Sequence, residues 1–187
     1  ESRPAPDYRV MAANPDQDAR YLAAAAEFGG ALQRLACAME ANPERRRDLL
    51  QDMHVALWRS MTTFDGRCAL RTWVYRVAHN VAASHVGRER RSRAGAVSLD
   101  EIDHLPDGRD LRDEHETSDA LERLHMLIRA LKPPDRQIIT LYLEGVDAAA
   151  IADITGLSAG AVATRISRVK TILAQRFNDL AASASHD

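Results

Sequence analysis

Apolar residues recur at every third or fourth position through most of the chain, a spacing that predicts amphipathic helices rather than strands. Asn14 and Pro15 form a helix-start signal, and the helical pattern that follows runs to about Glu40. Asn42 and Pro43 repeat that signal. The apolar stripe of the helix that they open consists of Leu50, Met53, Leu57 and Met61, and Leu49 and Trp58 widen it.

A third amphipathic segment follows a break at residues 64–66 and includes Trp73 in its apolar stripe. It passes into an arginine-rich stretch at residues 88–93. Residues 95–117 show no sustained periodicity and are strongly acidic. They predict a linker that does not fold alone.

Shorter helices are predicted from about Ser118 onward, each with a recognisable boundary. The boundary residues are Pro133 at a helix start, Asp147 and Ser158 as N-caps, and Gly145 and Gly156 after helix ends. The apolar stripe of the last helix consists of Val162, Ile166, Val169, Leu173 and Phe177.

The chain has 187 residues, of which 45% are hydrophobic and only 5% aromatic, and Ala and Leu are abundant. We therefore expect an all-α protein with two small helical domains, at residues 16–94 and 118–178. A flexible acidic linker is expected at 95–117, with a flexible arm at 1–15 and a tail at 179–187.

The formal net charge is only −2, but the charge is unevenly distributed along the chain. Residues 67–93 contain seven arginines and one acid, and residues 156–176 contain three arginines, one lysine and no acid. Residues 100–119 contain nine acids and two arginines. Two basic segments thus flank an acidic one, and the net charge does not argue against nucleic-acid binding.

Other classes of protein are disfavoured. The sequence has no apolar run of the roughly 18 to 20 residues that a membrane span needs and no secretion leader, so we expect a cytoplasmic protein without membrane insertion. Cys37 and Cys68 lack a CxxC partner, and the seven histidines lack ligand spacing. With no nucleophile–base pattern or phosphate-binding loop either, we expect no metal, no cofactor and no enzymatic activity.

Only Gly156, Leu157 and Ser158 separate the last two helices, a connection typical of a helix-turn-helix. The predicted exposed face of the final helix consists of Ala161, Thr164, Ser167 and Arg168, with Arg165 on its flank. Small residues let a helix enter the major groove, and Thr, Ser and Arg side chains can bond to bases or phosphates. An ordinary helical hairpin with a solvated arginine face explains these residues too.

Residues 64–80 combine arginines with Trp73 and Tyr75, a mixture suited to the phosphates and unpaired bases of single-stranded nucleic acid. Trp73 also falls on an apolar stripe, and composition alone favours a core position for it. Asp48, Gln51 and Asp52 form a polar helix face that on its own indicates only solvent exposure.

Four segments, in this order and spacing, resemble the extracytoplasmic-function sigma factors, small bacterial subunits that confer promoter specificity on RNA polymerase. The segments are residues 48–58 (D-L-L-Q-D…L-W), 64–80 (F-D-G-R-C-A-L-R-T-W-V-Y-R-V-A-H-N), 131–137 (L-K-P-P-D-R-Q), and 151–158 with Val162, Arg165 and Arg168. The resemblance identifies residues 16–94 with region 2 of the sigma fold and residues 118–178 with region 4.

The resemblance implies a role for each segment. Binding to core RNA polymerase falls to Asp48, Leu49, Gln51, Asp52 and Trp58. Binding to the −10 element falls to Phe64, Arg67, Arg71, Trp73, Tyr75, Arg76, Asn80, Arg88 and Arg91. Binding to the −35 element falls to Ser158, Ala161, Thr164, Arg165, Ser167 and Arg168.

The partners implied are the clamp helices of the largest polymerase subunit, the flap of the second largest, promoter DNA and an anti-sigma factor. Ala163 departs from the family pattern, which usually has a basic residue there. Two other hypotheses remain: a sigma mimic that acts as a decoy for an anti-sigma factor, and a free-standing helix-turn-helix regulator.

Overall fold

The computed structural model describes residues 15–95 and 116–184. These residues form α-helices and no strands, which confirms the all-α fold class. The helices are α1 (Pro15–Met39), α2 (Pro43–Ser60), α3 (Leu70–Gly95), α4 (Glu116–Arg129), α5 (Pro133–Leu143), α6 (Ala148–Thr155) and α7 (Ala159–Ala184).

Helices α1, α2 and α3 pack together as an N-terminal bundle. Its core is closed by side chains with at most 1% of their surface exposed: Leu32, Leu35, Leu49, Met53, Leu57, Met61 and Val74. The predicted start of α2 is confirmed, because the Asn42 side chain accepts hydrogen bonds from the backbone N–H groups of Glu44 and Arg45, both at 3.0 Å. The apolar stripes seen in the sequence therefore meet inside this bundle.

Helices α4 to α7 form a C-terminal bundle around two adjacent apolar clusters. One cluster includes Ile138, Leu141, Ile151 and Val162, and the other includes Leu127, Ile128, Ile139 and Val169. Helix α7 contributes to both clusters, so its buried face is fixed along most of its length.

The two bundles also pack on each other, which the sequence did not predict. Ala31 of α1 and Tyr75 of α3 belong to the same cluster as Ile138 and Leu141. Ala38 of α1 lies in the cluster of Leu127, Ile128 and Ile139. The small alanine side chains let α4 and α5 approach α1 closely, so the bundles share an apolar core.

Most of the predicted linker and arm lies outside the described residues. Helix α3 ends at Gly95 and α4 begins at Glu116, close to the expected domain bounds. Helix α7 runs to Ala184 and so extends into the residues assigned to a tail. Three alanines among residues 181–184 favour this extension, since Ala has the highest helix propensity.

Candidate nucleic-acid interface

The turn between α6 and α7 has the geometry predicted from the sequence. Gly156 adopts a left-handed conformation (φ 73°, ψ 14°), and its N–H donates to the carbonyl oxygen of Ala152 at 2.8 Å. The Asp147 carboxylate caps α6 by accepting from the Ala150 N–H at 2.9 Å, and the Ser158 hydroxyl accepts from the Ala161 N–H at 3.3 Å. The three predicted helix-boundary signals are confirmed, and the short connection between α6 and α7 is typical of a helix-turn-helix.

Helix α7 presents small and polar side chains to solvent while its apolar stripe is buried. Ser158, Thr164 and Ser167 are exposed, and Ala161 is half-buried. The Thr164 hydroxyl donates to the carbonyl oxygen of Gly160 at 2.9 Å, which fixes the side chain against its own helix. A smooth, polar helix face supported on a rigid core is the shape that enters a DNA major groove.

The two arginines on this face are held by one carboxylate. Arg165 donates to one oxygen of Asp135 at 2.9 Å, and Arg168 donates to the other at 2.7 Å. No local pattern marks Asp135, because the contact joins residues 30 and 33 positions apart. An acid in the first turn of a helix also has a local explanation in the helix dipole.

The loop before α3 brings Phe64 and Trp73 together, with ring centroids 5.5 Å apart. Trp73 is half-buried against the N-terminal core, and its indole N–H donates to the Ser60 hydroxyl at 3.0 Å. Gly66 turns the loop with φ 78°. Part of the indole packs against the core while part remains at the surface, so the core position is confirmed and the role in binding unpaired bases stays a prediction.

Most of the other predicted −10 residues lie on the surface of α3 and its preceding loop. Asn80 and Arg91 are exposed, and 90% of the Arg67 side chain is exposed beside Asp65, 2.8 Å away. Arg88 lies 3.6 Å from Asp52 of α2. Arg76 differs, because it is half-buried and its Nε has no hydrogen-bond partner among the described residues.

The predicted polymerase-docking face on α2 is only partly at the surface. Asp48, Gln51 and Asp52 are exposed. Trp58 is half-buried and donates from its indole N–H to Asp18 at 2.7 Å. Leu49 is fully buried, so its inclusion on this face is corrected: its side chain supports the helix from the core.

Two predicted −10 residues contact the C-terminal bundle: Tyr75 is buried there, and Arg71 is exposed but bonded to it. Glu144, at the end of α5, accepts from the Nε and Nη2 of Arg34, both at 2.7 Å, and from the Tyr75 hydroxyl at 3.4 Å. Arg71 donates to the main-chain oxygen of Glu144, and its guanidinium lies 5.7 Å from the centre of the Tyr75 ring. We call this contact the Glu144 junction. The sequence carried no signal for it, since it joins residues 69 to 110 positions apart.

Charges at the Glu144 junction favour the observed hydrogen bonds. Burial and the nearby negative charge of Glu144 raise the pKa of Tyr75, so its hydroxyl stays protonated and can donate. The hydrogen bond to Glu144 raises the pKa of Arg34, which secures its positive charge. At the Glu144 junction, the neutral Tyr75 hydroxyl and the positively charged Arg34 therefore both donate to the carboxylate of Glu144.

A second set of contacts ties α1 to the C-terminal bundle. Arg129 donates to the main-chain oxygen of Cys37 at 2.8 Å, and Arg136 donates to that of Met39 at 3.4 Å. Burial lowers the pKa of Arg136. On α3, His79 is fully buried, and burial lowers its pKa to about 3. This histidine is thus neutral at physiological pH and contributes no charge where the bundles meet.

The described part of the chain contains no group of three or more His, Cys, Asp or Glu residues that could hold a metal ion. Cys37 and Cys68 are both half-buried free thiols. Among the helices at 15–95 and 116–184, none is long and apolar enough to cross a membrane.

Comparison with known proteins assigns both bundles to one family. The family model described as Sigma-70 region 2 matches residues 25–92, and the one described as Sigma-70, region 4 matches residues 121–173. The chain is 30% identical over 141 residues to an ECF RNA polymerase sigma-E factor of Haemophilus influenzae, covering 71% of this chain and 75% of that protein. It is 28% identical over 135 residues to the RNA polymerase sigma-H factor of Pseudomonas aeruginosa, covering 68% and 70%.

Solved structures agree with this assignment at the level of the fold. The sigma factor RpoE of Bartonella quintana, solved with the anti-sigma factor NepR, matches with a TM-score of 0.63 at 20% identity, covering 88% of this chain and 97% of that one. CnrH, solved with the cytosolic domain of CnrY, matches with a TM-score of 0.62 at 21% identity, covering 87% and 90%. The fold, the order of the two matched regions and the sequence identity lead to one conclusion: this chain belongs to the extracytoplasmic-function sigma factors, the alternative sigma factors that bind RNA polymerase and direct transcription initiation.

Proposed function

We propose that this sigma factor recognises its promoter at two points, with α7 on the −35 element and the loop and surface of α3 on the −10 element. The observation that carries the proposal is the form of α7: a polar, small-residue face with two fixed arginines, supported by a buried stripe and a tight turn. The protein itself catalyses no reaction in this proposal. It supplies only binding energy and sequence choice to the polymerase.

Docking on the polymerase is assigned to the exposed part of α2. Asp48, Gln51 and Asp52 offer carboxylate and amide oxygens to the clamp helices of the largest subunit, with the edge of Trp58 beside them. Arg88 of α3 lies against Asp52, so the docking face and the −10 surface adjoin at that ion pair. Contact between the C-terminal bundle and the flap of the second largest subunit completes the attachment.

At the −10 element, the Phe64–Trp73 pair is proposed to receive bases of the separated strand. Extruding a base costs a few kcal/mol, and stacking on aromatic side chains together with phosphate contacts offsets that cost. Arg67, Arg88 and Arg91 are exposed along the path of the strand and supply the phosphate contacts. Arg71 and Tyr75 can join them only when the Glu144 junction opens.

Regulation by an anti-sigma factor is proposed as well. The sigma factor RpoE of Bartonella quintana, which is similar in fold, was solved with the anti-sigma factor NepR. The site of action is the bacterial cytoplasm, where the polymerase works.

Run-off transcription tests the proposal directly. Purified chain and bacterial core polymerase are incubated with a library of genomic promoter fragments, and the products are sequenced. Specific initiation is expected only when both are present. Failure of the chain to bind core polymerase would exclude the proposal, whereas binding to core without initiation would favour a decoy. Tight binding to a duplex without polymerase, seen in a gel shift, would favour a free-standing regulator.

Substitution of Arg168 by Ala separates promoter recognition from polymerase binding. We expect about a tenfold loss of initiation at the strongest promoter, because a base contact by arginine contributes roughly 1–3 kcal/mol of discrimination. Affinity for core polymerase should not change, since no described residue of α7 contacts α2. Arg176→Ala, at an exposed position later in α7, is the matched control. An equal loss in both variants would contradict the assignment.

A further inference from the structure

Asp135 is buried beneath the DNA-facing surface of α7. Only 9% of its side chain is exposed, and each carboxylate oxygen accepts a hydrogen bond from a different arginine. Arg165 and Arg168 lie three residues apart, so their side chains leave the same side of α7. The carboxylate therefore bridges two successive turns of that helix.

The location of Asp135 at the start of α5 helps to hold this acid in place. It lies in the first turn of α5, where the unpaired N–H groups of a helix start favour a negative charge. Lys132, the residue before that helix, provides no side-chain cap. A buried carboxylate also requires hydrogen-bond partners, and the two arginines provide them.

The arginines themselves remain accessible from outside. The exposed fraction is 37% for the Arg165 side chain and 58% for that of Arg168, against 9% for Asp135. A guanidinium has five N–H donors in a planar fork, so one hydrogen bond to Asp135 leaves donors directed outward. The acid thus holds both groups from below without covering them.

Holding the arginines has two consequences for DNA binding. A side chain that is already ordered loses less conformational entropy when it meets a base, which favours the sequence whose acceptors match its position. The negative charge also cancels one of the two positive charges, which weakens attraction to phosphates of any sequence. Ala163 on the same helix lacks a polar group, so more of the discrimination depends on these two arginines.

We propose that Asp135 is a positioning residue for promoter selectivity, which fixes Arg165 and Arg168 for base recognition and reduces sequence-independent DNA affinity. This rests on the proposed function of α7 as the −35 helix. Removing the carboxylate should therefore strengthen binding to arbitrary DNA and weaken discrimination. A residue that only stabilised the fold would weaken binding to all DNA alike.

The test uses the full-length chain bound to core polymerase. The probes are duplexes of the strongest promoter found by run-off transcription, with its −35 segment either native or scrambled, and affinity is measured at several salt concentrations. For Asp135→Ala we expect the ratio of native to scrambled affinity to fall about tenfold. The slope of log affinity against log salt should steepen by about 1, as for one additional phosphate contact.

Three further variants make the result decisive. Asp135→Asn keeps the shape and removes the charge, so it should show the steeper slope even if Asp135→Ala does not fold. Asp135→Glu keeps the charge and should recover part of the selectivity. Asp153→Ala removes an exposed acid of α6, and it should leave the affinity ratio unchanged.

The possible outcomes are distinct. An unchanged affinity ratio and salt slope in Asp135→Asn would overturn the proposal, as would an equal loss of affinity for both duplexes. If the unsubstituted holoenzyme does not distinguish the two −35 segments, the proposed role of α7 fails instead, whatever the Asp135 variants show.

Discussion

The two proposed DNA surfaces of this sigma factor differ in how ready they are to bind. On α7 the −35 residues are exposed, and the arginines are already ordered by Asp135. On α3 the outer arginines are exposed, but Tyr75 is only 3% exposed and Arg71 is bonded to the C-terminal bundle. While its two bundles are in contact, the chain thus presents a complete −35 surface on α7 and an incomplete −10 surface on α3. Exposing the rest of the −10 surface requires the bundles to separate.

The energies indicate what holds the bundles together. Half of the Arg34 side chain is exposed, so its ion pair with Glu144 contributes at most about 1 kcal/mol. Burial of a large side chain such as Tyr75 contributes roughly 1.5–3 kcal/mol. Apolar contact therefore provides most of the attraction, while Glu144 determines which parts of the two bundles meet.

The largest expected effect would show whether the two bundles unfold as one unit. Leu49→Ala and Ile151→Ala each remove a fully buried side chain, one from each bundle, and each should lower the free energy of unfolding by about 2–5 kcal/mol. Because the bundles share a core, both substitutions should shift a single calorimetric transition. Leu22→Ala, at a position 63% exposed, should have little effect. Two transitions, only one of which moves, would show that the bundles are independent.

A second prediction concerns the stability of the chain at acidic pH. His79 has a native pKa of about 3 because it is buried, whereas its ordinary value is 6.5. The unfolded chain therefore binds more protons below pH 6.5, and stability that is complete above this pH is lost as the pH falls. The loss is about 2 kcal/mol between pH 6.5 and 5, at about 1.4 kcal/mol per pH unit. Urea unfolding measures it, and His79→Leu should flatten the pH dependence.

The same slope in His79→Leu as in the native chain would show that other groups cause the loss. Glu40 also contributes stability that is lost as the pH falls. Although burial opposes its ionisation, hydrogen bonds from the Asn42 backbone N–H and His85 lower the pKa of Glu40, so its contribution is present above pH 4.5 and falls below it. Comparing pH 6.5 with pH 5 keeps the two effects largely apart.

The smallest effect on stability tests the junction itself. Glu144→Ala should lower the free energy of unfolding by about 1 kcal/mol or less, since it removes a partly exposed ion pair. It should also weaken the contact between the bundles, and so raise the affinity of the chain for a single-stranded −10 oligonucleotide, measured by fluorescence anisotropy. Glu44→Ala is the control, because Glu44 pairs with Arg47 only at the surface of α2. Equal affinities in both variants would mean that the junction does not restrict strand binding.

Local features of this fold were predictable from the sequence because they depend on neighbours a few residues apart. Asn42, Asp147 and Ser158 cap their helices as expected, and Gly156 has the left-handed conformation. The periodic stripes placed the core residues of each bundle correctly. Leu49 was assigned to a surface because a motif describes a segment and does not separate its inward side chains from its outward ones.

Long-range contacts were not predictable in the same way. Asp135 lies in the first turn of α5 and Glu144 at its end, and neither position indicates a distant partner. Their partners lie 30 to 110 residues away, and nothing in the local pattern records which arginine each will meet. The mixed role of Trp73 is similar, because periodicity showed that it faces the core but not how much of the indole stays outside.

The alanines at positions 31 and 38 affect how this protein could be recombined with its relatives. Each lies in an apolar cluster built mostly from the C-terminal bundle, where a larger side chain would hold α4 and α5 away from α1. A chimera that receives a new C-terminal bundle also receives a new −35 preference. The side chains of the new bundle are then not matched to the alanines on α1. Exchanging promoter specificity between such proteins should succeed more often when these two positions are transferred along with the bundle.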